Sequence, residues 1–401
     1  MNLRSQLLDE DRPAPRWQAY LGITGLLLVL IFVLAGGIIW YNSSKASSLA
    51  ITAADQLIRE VEDKVDERIK LLYDPMFAIV AIASLVPEFT TPAIMDDAPA
   101  RALLLRALRI YPQILSIYVG FDNGDFLMVT HIAGPEEANL RQSLQAPDDA
   151  VFAVEMIGGD AAGARNARWI FLGEDGSQVG IREPAPTTFD PRERPWYRPA
   201  QQSEIVEHSD LYVFASNGEP GFTLSRSFSG PSPGSPAGVM GADLAANGLA
   251  DFLRQQRITP SSTAFIFTKA GEIIAMPDQA ALAKPAPANG ETMLPLPKVA
   301  DLRDPVISGL VAAYEDKKMV GSRVYNVAGR TYIGRVAEIP SRYGRDQLLA
   351  IMVPIDEIEQ PIIDIRNQTL LYSIAFLVFA LPLYVTLTVA WIDRRLRGGA
   401  R

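Results

Sequence analysis

Residues 190–200 read Asp190-Pro191-Arg192-Glu193-Arg194-Pro195-Trp196-Tyr197-Arg198-Pro199-Ala200. Arg194 offers a planar guanidinium that can hold a carboxylate through two parallel hydrogen bonds. Trp196 and Tyr197 follow at once and supply apolar walls with a donor at the tip. An arginine beside two aromatics is suited to gripping a small charged molecule against an apolar surface. The same residues also suit a purely structural role, in which Arg194 and Trp196 brace the domain around them.

On both sides of this stretch the pattern is of short strands broken by turn residues. Residues 114–120 and 126–130 flank Asp122-Asn123-Gly124-Asp125, a hairpin signal with Asn-Gly at its centre. Residues 169–172 and 178–181 repeat the design around Glu174-Asp175-Gly176, and 211–214, 222–228 and 238–243 add three more strands. A second set follows a helix predicted near residues 248–256. It comprises 263–268 with 272–275, then 322–327 with 331–336 joined through Ala328-Gly329-Arg330, and finally 348–353. The Pro- and Ala-rich run 283–297 reads as a surface excursion. Two successive antiparallel sheets with long helices at one side predict an α+β class with two lobes.

Upstream, Ile58, Val61, Val65, Ile69 and Leu72 recur at helical period among charged residues. A helix over residues 42–84 would be roughly 60 Å long, with a kink possible at Pro75. The stripe could dock on its own domain or form a parallel homodimer seam. Residues 20–40 and 369–392 are uncharged, and each is long enough to cross a bilayer as a helix. Arg4, Arg12 and Arg16 precede the first run and Arg394, Arg395, Arg397 and Arg401 follow the second, whereas the inner flanks hold only Lys45 and Arg366. Both ends are therefore expected in the cytoplasm and the middle outside.

The chain of 401 residues carries a formal net charge of −9, and the excess of acid lies in the middle. That balance argues against nucleic acid as a partner. No cysteine is present, so there is neither a disulfide nor a thiolate metal site. His131 and His208 are the only histidines and lie far apart, so no metal is expected. No G-x-S-x-G, Walker A or H-E-x-x-H pattern occurs, so no catalytic residue and no cofactor is expected. Asp96-Asp97 and Asp148-Asp149 read as solvated loop charges.

The Arg194-Pro195-Trp196-Tyr197 element, with Gly238-Val239-Met240-Gly241-Ala242-Asp243 and the hairpin around Phe265-Ile266-Phe267, resembles the double Cache sensor domains of bacterial transmembrane receptors. The resemblance covers about residues 20–392. It implies two PAS-like antiparallel lobes behind a long N-terminal helix, flanked by two membrane helices. It also implies a ligand site in the distal lobe formed by Arg194, Trp196, Tyr197, Tyr212 and Asp243. The amino-acid-binding subset of that family carries a tyrosine where Phe189 stands and an aspartate where Pro199 stands. Those two departures count against an α-amino acid, and the expected ligand is a small organic carboxylate or zwitterion.

The resulting division is a cytoplasmic tail (1–19), a first membrane helix (20–40) and a helix emerging from the membrane (41–85). A membrane-distal lobe with the ligand site (86–256), a membrane-proximal lobe (257–358) and a connector (359–368) follow. A second membrane helix (369–392) and the start of a truncated, HAMP-like linker (393–401) complete it. The expected function is that of a homodimeric, multi-pass sensor of the bacterial inner membrane. It would pass ligand binding to a cytoplasmic effector absent from these residues, foremost a nucleotide cyclase and otherwise a chemoreceptor, histidine kinase or diguanylate cyclase output. A stand-alone binding protein that acts through a partner is the alternative.

Overall fold

The computed structural model describes residues 16–134, 137–159, 164–218, 220–230, 232–233, 237–277, 296–317 and 321–398. The expected surface excursion 283–297 falls almost wholly outside these residues, as does most of the N-terminal tail. The chain divides into two units, Met1–Asp55 with Pro354–Arg401, and Gln56–Val353.

The first unit holds the opening turns of α1 (Arg16–Ala83) and, at the other end of the chain, α7 (Ile355–Gly398). Among the described residues one helical stretch, Ile355–Trp391, is long and apolar enough to cross a membrane. Its Leu371, Tyr372, Phe376, Phe379, Leu383 and Leu387 are exposed. The expected first span lies within α1, where Leu26, Val29, Leu30, Phe32, Val33 and Leu34 are likewise exposed. Several other side chains of that span lie outside the described residues.

The second unit carries two antiparallel sheets. After α2 (Ala98–Ile110) come β1 (Ser116–Phe121), β2 (Phe126–His131), α3 (Ala138–Leu144), β3 (Phe152–Gly159), β4 (Arg165–Leu172) and β5 (Gln178–Pro186). The stretch 190–200 follows β5 and runs into α4 (Tyr197–Gln201). It is followed by β6 (Glu207–His208), β7 (Tyr212–Val213), β8 (Pro220–Phe228) and β9 (Gly238–Ala245). Strands order as β5-β4-β3-β2-β1-β9-β8-β6, with β7 also on β8. Then α5 (Asn247–Gln255) leads into the second sheet, made of β10 (Thr263–Thr268), β11 (Ile273–Ala275), β12 (Gly321–Val327), β13 (Arg330–Glu338) and β14 (Gln347–Pro354), with α6 (Pro305–Lys317) inserted. Its order is β11-β10-β14-β13-β12. This is the two-lobed α+β plan, behind a long N-terminal helix, that the resemblance implied.

Two expectations change. Ile58, Val61, Val65, Ile69 and Leu72 are buried within the single chain, so this stripe packs on its own domain and is not the dimer seam. Polar contacts hold the same helix to the second lobe: Glu62 pairs with Arg335, and Asp74 accepts from Arg342 at 2.6 Å and from the Tyr343 hydroxyl at 3.0 Å. Asp97, read as a loop charge, instead caps α2 by accepting the Ala100 amide at 3.0 Å. Helix α1 runs through Pro75 as one element. Between the lobes, Ala246 alone separates β9 from α5, and the Arg254 Nε on α5 donates to the Pro277 carbonyl beyond β11 at 2.9 Å.

Candidate functional site

The face of the larger sheet is set by cross-strand register. Gly241, Tyr118, Met128, Glu155 and Trp169 form one transverse row over β9, β1, β2, β3 and β4. At Gly241 a Cβ would stand 2.3 Å from the Tyr118 ring, so only glycine lets that ring lie across β9. Gly120 makes similar room two residues further along β1, where a Cβ would meet Pro191 at 2.7 Å and the Trp196 ring at 3.0 Å. Alternation along each strand then sends these side chains to one side. Together with the 187–196 segment and the residues around β7 they enclose a cavity of about 520 Å³, within the ordinary range for small-molecule sites.

Asp243 stands at one end, 4% exposed. Its carboxylate accepts from Ser116 Oγ at 2.8 Å, Tyr118 OH at 2.7 Å and Thr223 Oγ1 at 2.5 Å. The Tyr212 hydroxyl donates in turn to Thr223 Oγ1 at 2.7 Å. Burial raises the Asp243 pKa to about 6, and the hydroxyl bonds and Arg194 oppose that rise. The site thus keeps a desolvated carboxylate that four hydroxyl-bearing residues hold in position.

Arg194 faces it from the motif segment. Its Nη2 donates to the Val213 carbonyl at 3.3 Å, and its guanidinium lies 5.8 Å from the Phe189 ring and 5.9 Å from the Tyr212 ring. Trp196 is buried at 4.8 Å from the Tyr118 ring, and its carbonyl accepts from Ser225 Oγ at 2.9 Å. Asp190 belongs to the turn itself, since it takes Arg192 at 2.5 Å, and Arg192 holds its carboxyl below the usual range.

The structure therefore brings Arg194, Trp196, Tyr212 and Asp243 to one cavity. Tyr197 is not in its wall. It is buried in the core behind Trp196, where desolvation pushes its hydroxyl up to about 12. Sequence reading missed Tyr118, Phe126, Met128, Glu155, Trp169, Thr187 and Thr188, all of which line the cavity. The one visible signal was Glu155, a charge inside the apolar run Phe152–Ile157. His131 packs on Phe152, whereas His208 is pressed between Tyr73 and Phe222 with its pKa lowered to about 4 by burial. No group of three His or carboxylate residues able to hold a metal occurs among the described residues.

No family model matches the chain. It is 26% identical over 373 residues to Adenylate cyclase 1 of Rhizobium meliloti (strain 1021), an alignment that covers 92% of this chain and 53% of that protein. It is also 34% identical over 90 residues to the methyl-accepting chemotaxis protein McpB of Bacillus subtilis (strain 168), covering 22% and 13% respectively. The chain spans about half the length of the first of these relatives. Among solved structures, the ligand-binding domain of the Pseudomonas fluorescens chemoreceptor CtaA with L-serine aligns at a TM-score of 0.44 and 18% identity, covering 76% of this chain and 99% of that one. The ligand-binding domain of the Campylobacter jejuni chemoreceptor Tlp3 with 4-methylisoleucine aligns at 0.42 and 14%, covering 78% and 94%. Along most of its length the chain is thus similar to a curated adenylate cyclase, and chemoreceptor ligand-binding domains are among the structures that align with it.

Proposed function

We propose that this chain is the double Cache sensor region of a bacterial membrane receptor and that it binds a small zwitterion in the cavity between Arg194 and Asp243. The observation that carries the reading is the pairing of opposite charges in one cavity that also has aromatic walls. Arg194, with one donor on the Val213 carbonyl, has further N–H groups for a carboxylate, and Asp243, held by Ser116, Tyr118 and Thr223, is ready for an ammonium. Tyr197 acts by packing behind Trp196 and not by touching ligand.

In this reading the lobes stand outside the bacterial inner membrane between spans at residues 20–40 and 369–392, and both ends are cytoplasmic. The exposed apolar side chains of both stretches support this. The domain division given from sequence is kept, as is a homodimer, although its seam must lie elsewhere than the buried stripe of α1. The similarity to an adenylate cyclase of about twice the aligned length supports a cyclase as the cytoplasmic effector. A ligand that prefers one receptor state by 1–3 kcal/mol would change output by about 5–150-fold.

The test is calorimetric titration of the full chain in lipid nanodiscs with a panel of amino acids, organic acids and amines. Arg194→Ala is expected to weaken the best ligand at least tenfold, because a charged hydrogen bond lost from a desolvated site costs about 1.5–3 kcal/mol. Asp243→Asn should do the same only where the ligand carries an ammonium. Unchanged affinity in Arg194→Ala would move the site elsewhere.

A further inference from the structure

Besides Asp243, the cavity is lined by Glu155, a carboxyl that the zwitterion reading leaves without a role. Glu155 sits on β3 between Met128 of β2 and Trp169 of β4, facing the cavity, while the residues before and after it along the strand are buried. It is half-buried at the cavity wall and makes no hydrogen bond or ion pair among the described residues; desolvation, with no nearby charge, raises its pKa to about 8. A partly desolvated carboxyl without a partner is costly, and natural folds retain such groups where something compensates them. Among the described residues lining the cavity Arg194 is the one cation, set against Glu155, Asp190, Glu193 and Asp243. Asp190 is already engaged by Arg192.

Geometry separates Glu155 from the Asp243 end. Asp243 is on β9 and Glu155 on β3, three strand intervals apart through β1 and β2, or roughly 14 Å between backbones at the usual strand spacing. The wall between them is Tyr118, Phe126 and Met128, with Trp169 beside Glu155. A positive group next to Glu155 would therefore also meet an indole, and aromatic faces attract cations.

Resting on the proposed ligand site, we infer that Glu155 receives a second cationic group, so that the ligand is an elongated molecule with two positive centres, one at Asp243 and one at Glu155. A dibasic amino acid or a linear diamine is the simplest such molecule. The dibasic amino acid also gives Arg194 its carboxylate.

The test uses the full chain in nanodiscs and titrates L-lysine, L-arginine and putrescine against L-norleucine, which resembles lysine without the terminal amine. At least one dibasic probe is expected to bind tenfold or more tightly than L-norleucine. Glu155→Gln should remove that preference by weakening the dibasic probe while leaving L-norleucine within about twofold, and Glu155→Asp should keep some of it. The wild-type comparison stands even if a variant fails to fold. L-norleucine binding as tightly as every dibasic probe, with Arg194→Ala weakening it, would overturn the second cation and leave the site. If no probe of either kind binds the wild-type chain, the inference falls. If the wider panel of acids and amines also shows no dependence on Arg194, the site falls with it.

Discussion

Replacing Glu155 by glutamine should stabilise the ligand-free chain, and by an amount that grows with pH. Burial raises the Glu155 pKa from 4.5 to about 8, so the folded chain binds this proton more tightly than the unfolded chain does. Folding stability then falls as pH rises from the unfolded value toward the folded one. Each pK unit is worth about 1.36 kcal/mol, so the penalty is near zero at pH 4.5 and about 3 kcal/mol at pH 7. Glutamine matches the protonated carboxyl in size and carries no such penalty. Denaturant melts of both variants in the same detergent, without added ligand, should nearly coincide at pH 4.5 and separate progressively to pH 8. Every other titrating group is common to the two proteins and cancels in the difference. A gap that does not grow with pH, or a less stable glutamine variant at pH 8, would refute the argument that Glu155 is desolvated and unpaired.

Gly241→Ala should destabilise the larger sheet by about 1–3 kcal/mol and disturb the Asp243 network, because its Cβ would displace the Tyr118 ring; a melt together with a binding titration would register both. Ile58→Ala should cost about 2–5 kcal/mol, since Ile58 is wholly buried within the chain; a cost below half a kcal/mol would return that stripe to an interface between copies. Asp97→Ala should cost about 1 kcal/mol through loss of the α2 cap, with ligand affinity unchanged. Protease applied to intact spheroplasts should cut between residues 42 and 367 and spare tags at either end, whereas a protected middle would refute the topology.

Hairpins were legible in the sequence because turn residues such as Asn123-Gly124 and Ala328-Gly329 interrupt apolar runs at close intervals. β3 was not, because Phe152–Ile157 is apolar on both faces apart from Glu155 and so lacks the alternation that marks a half-buried strand. Arg194, Trp196, Tyr212 and Asp243 were found through a local motif and its order along the chain. Glu155 and Trp169 join them only through strand register, which depends on pairings between distant segments. Tyr197 falls outside the cavity wall for a local reason. It opens α4 directly after Trp196, and successive residues of a helix point about 100° apart, so the two rings face different surroundings. The α1 stripe showed that a helix buries one face, but periodicity cannot say whether its own sheet or another chain covers it.

The junction after Asp243 has a mechanical meaning. Ala246, buried and with its amide held by the Pro220 carbonyl, is the whole of the passage from β9 to α5. Beyond the helix, the Ser262 hydroxyl accepts the amides of Ile258 and Thr259 and clips the next bend shut before β10 begins. The route from the cavity to the second sheet is therefore short, one residue before the helix and one hydrogen-bonded bend after it. In the proposed receptor, a displacement at Asp243 would reach β10 through Ala246, α5 and the bend that Ser262 holds.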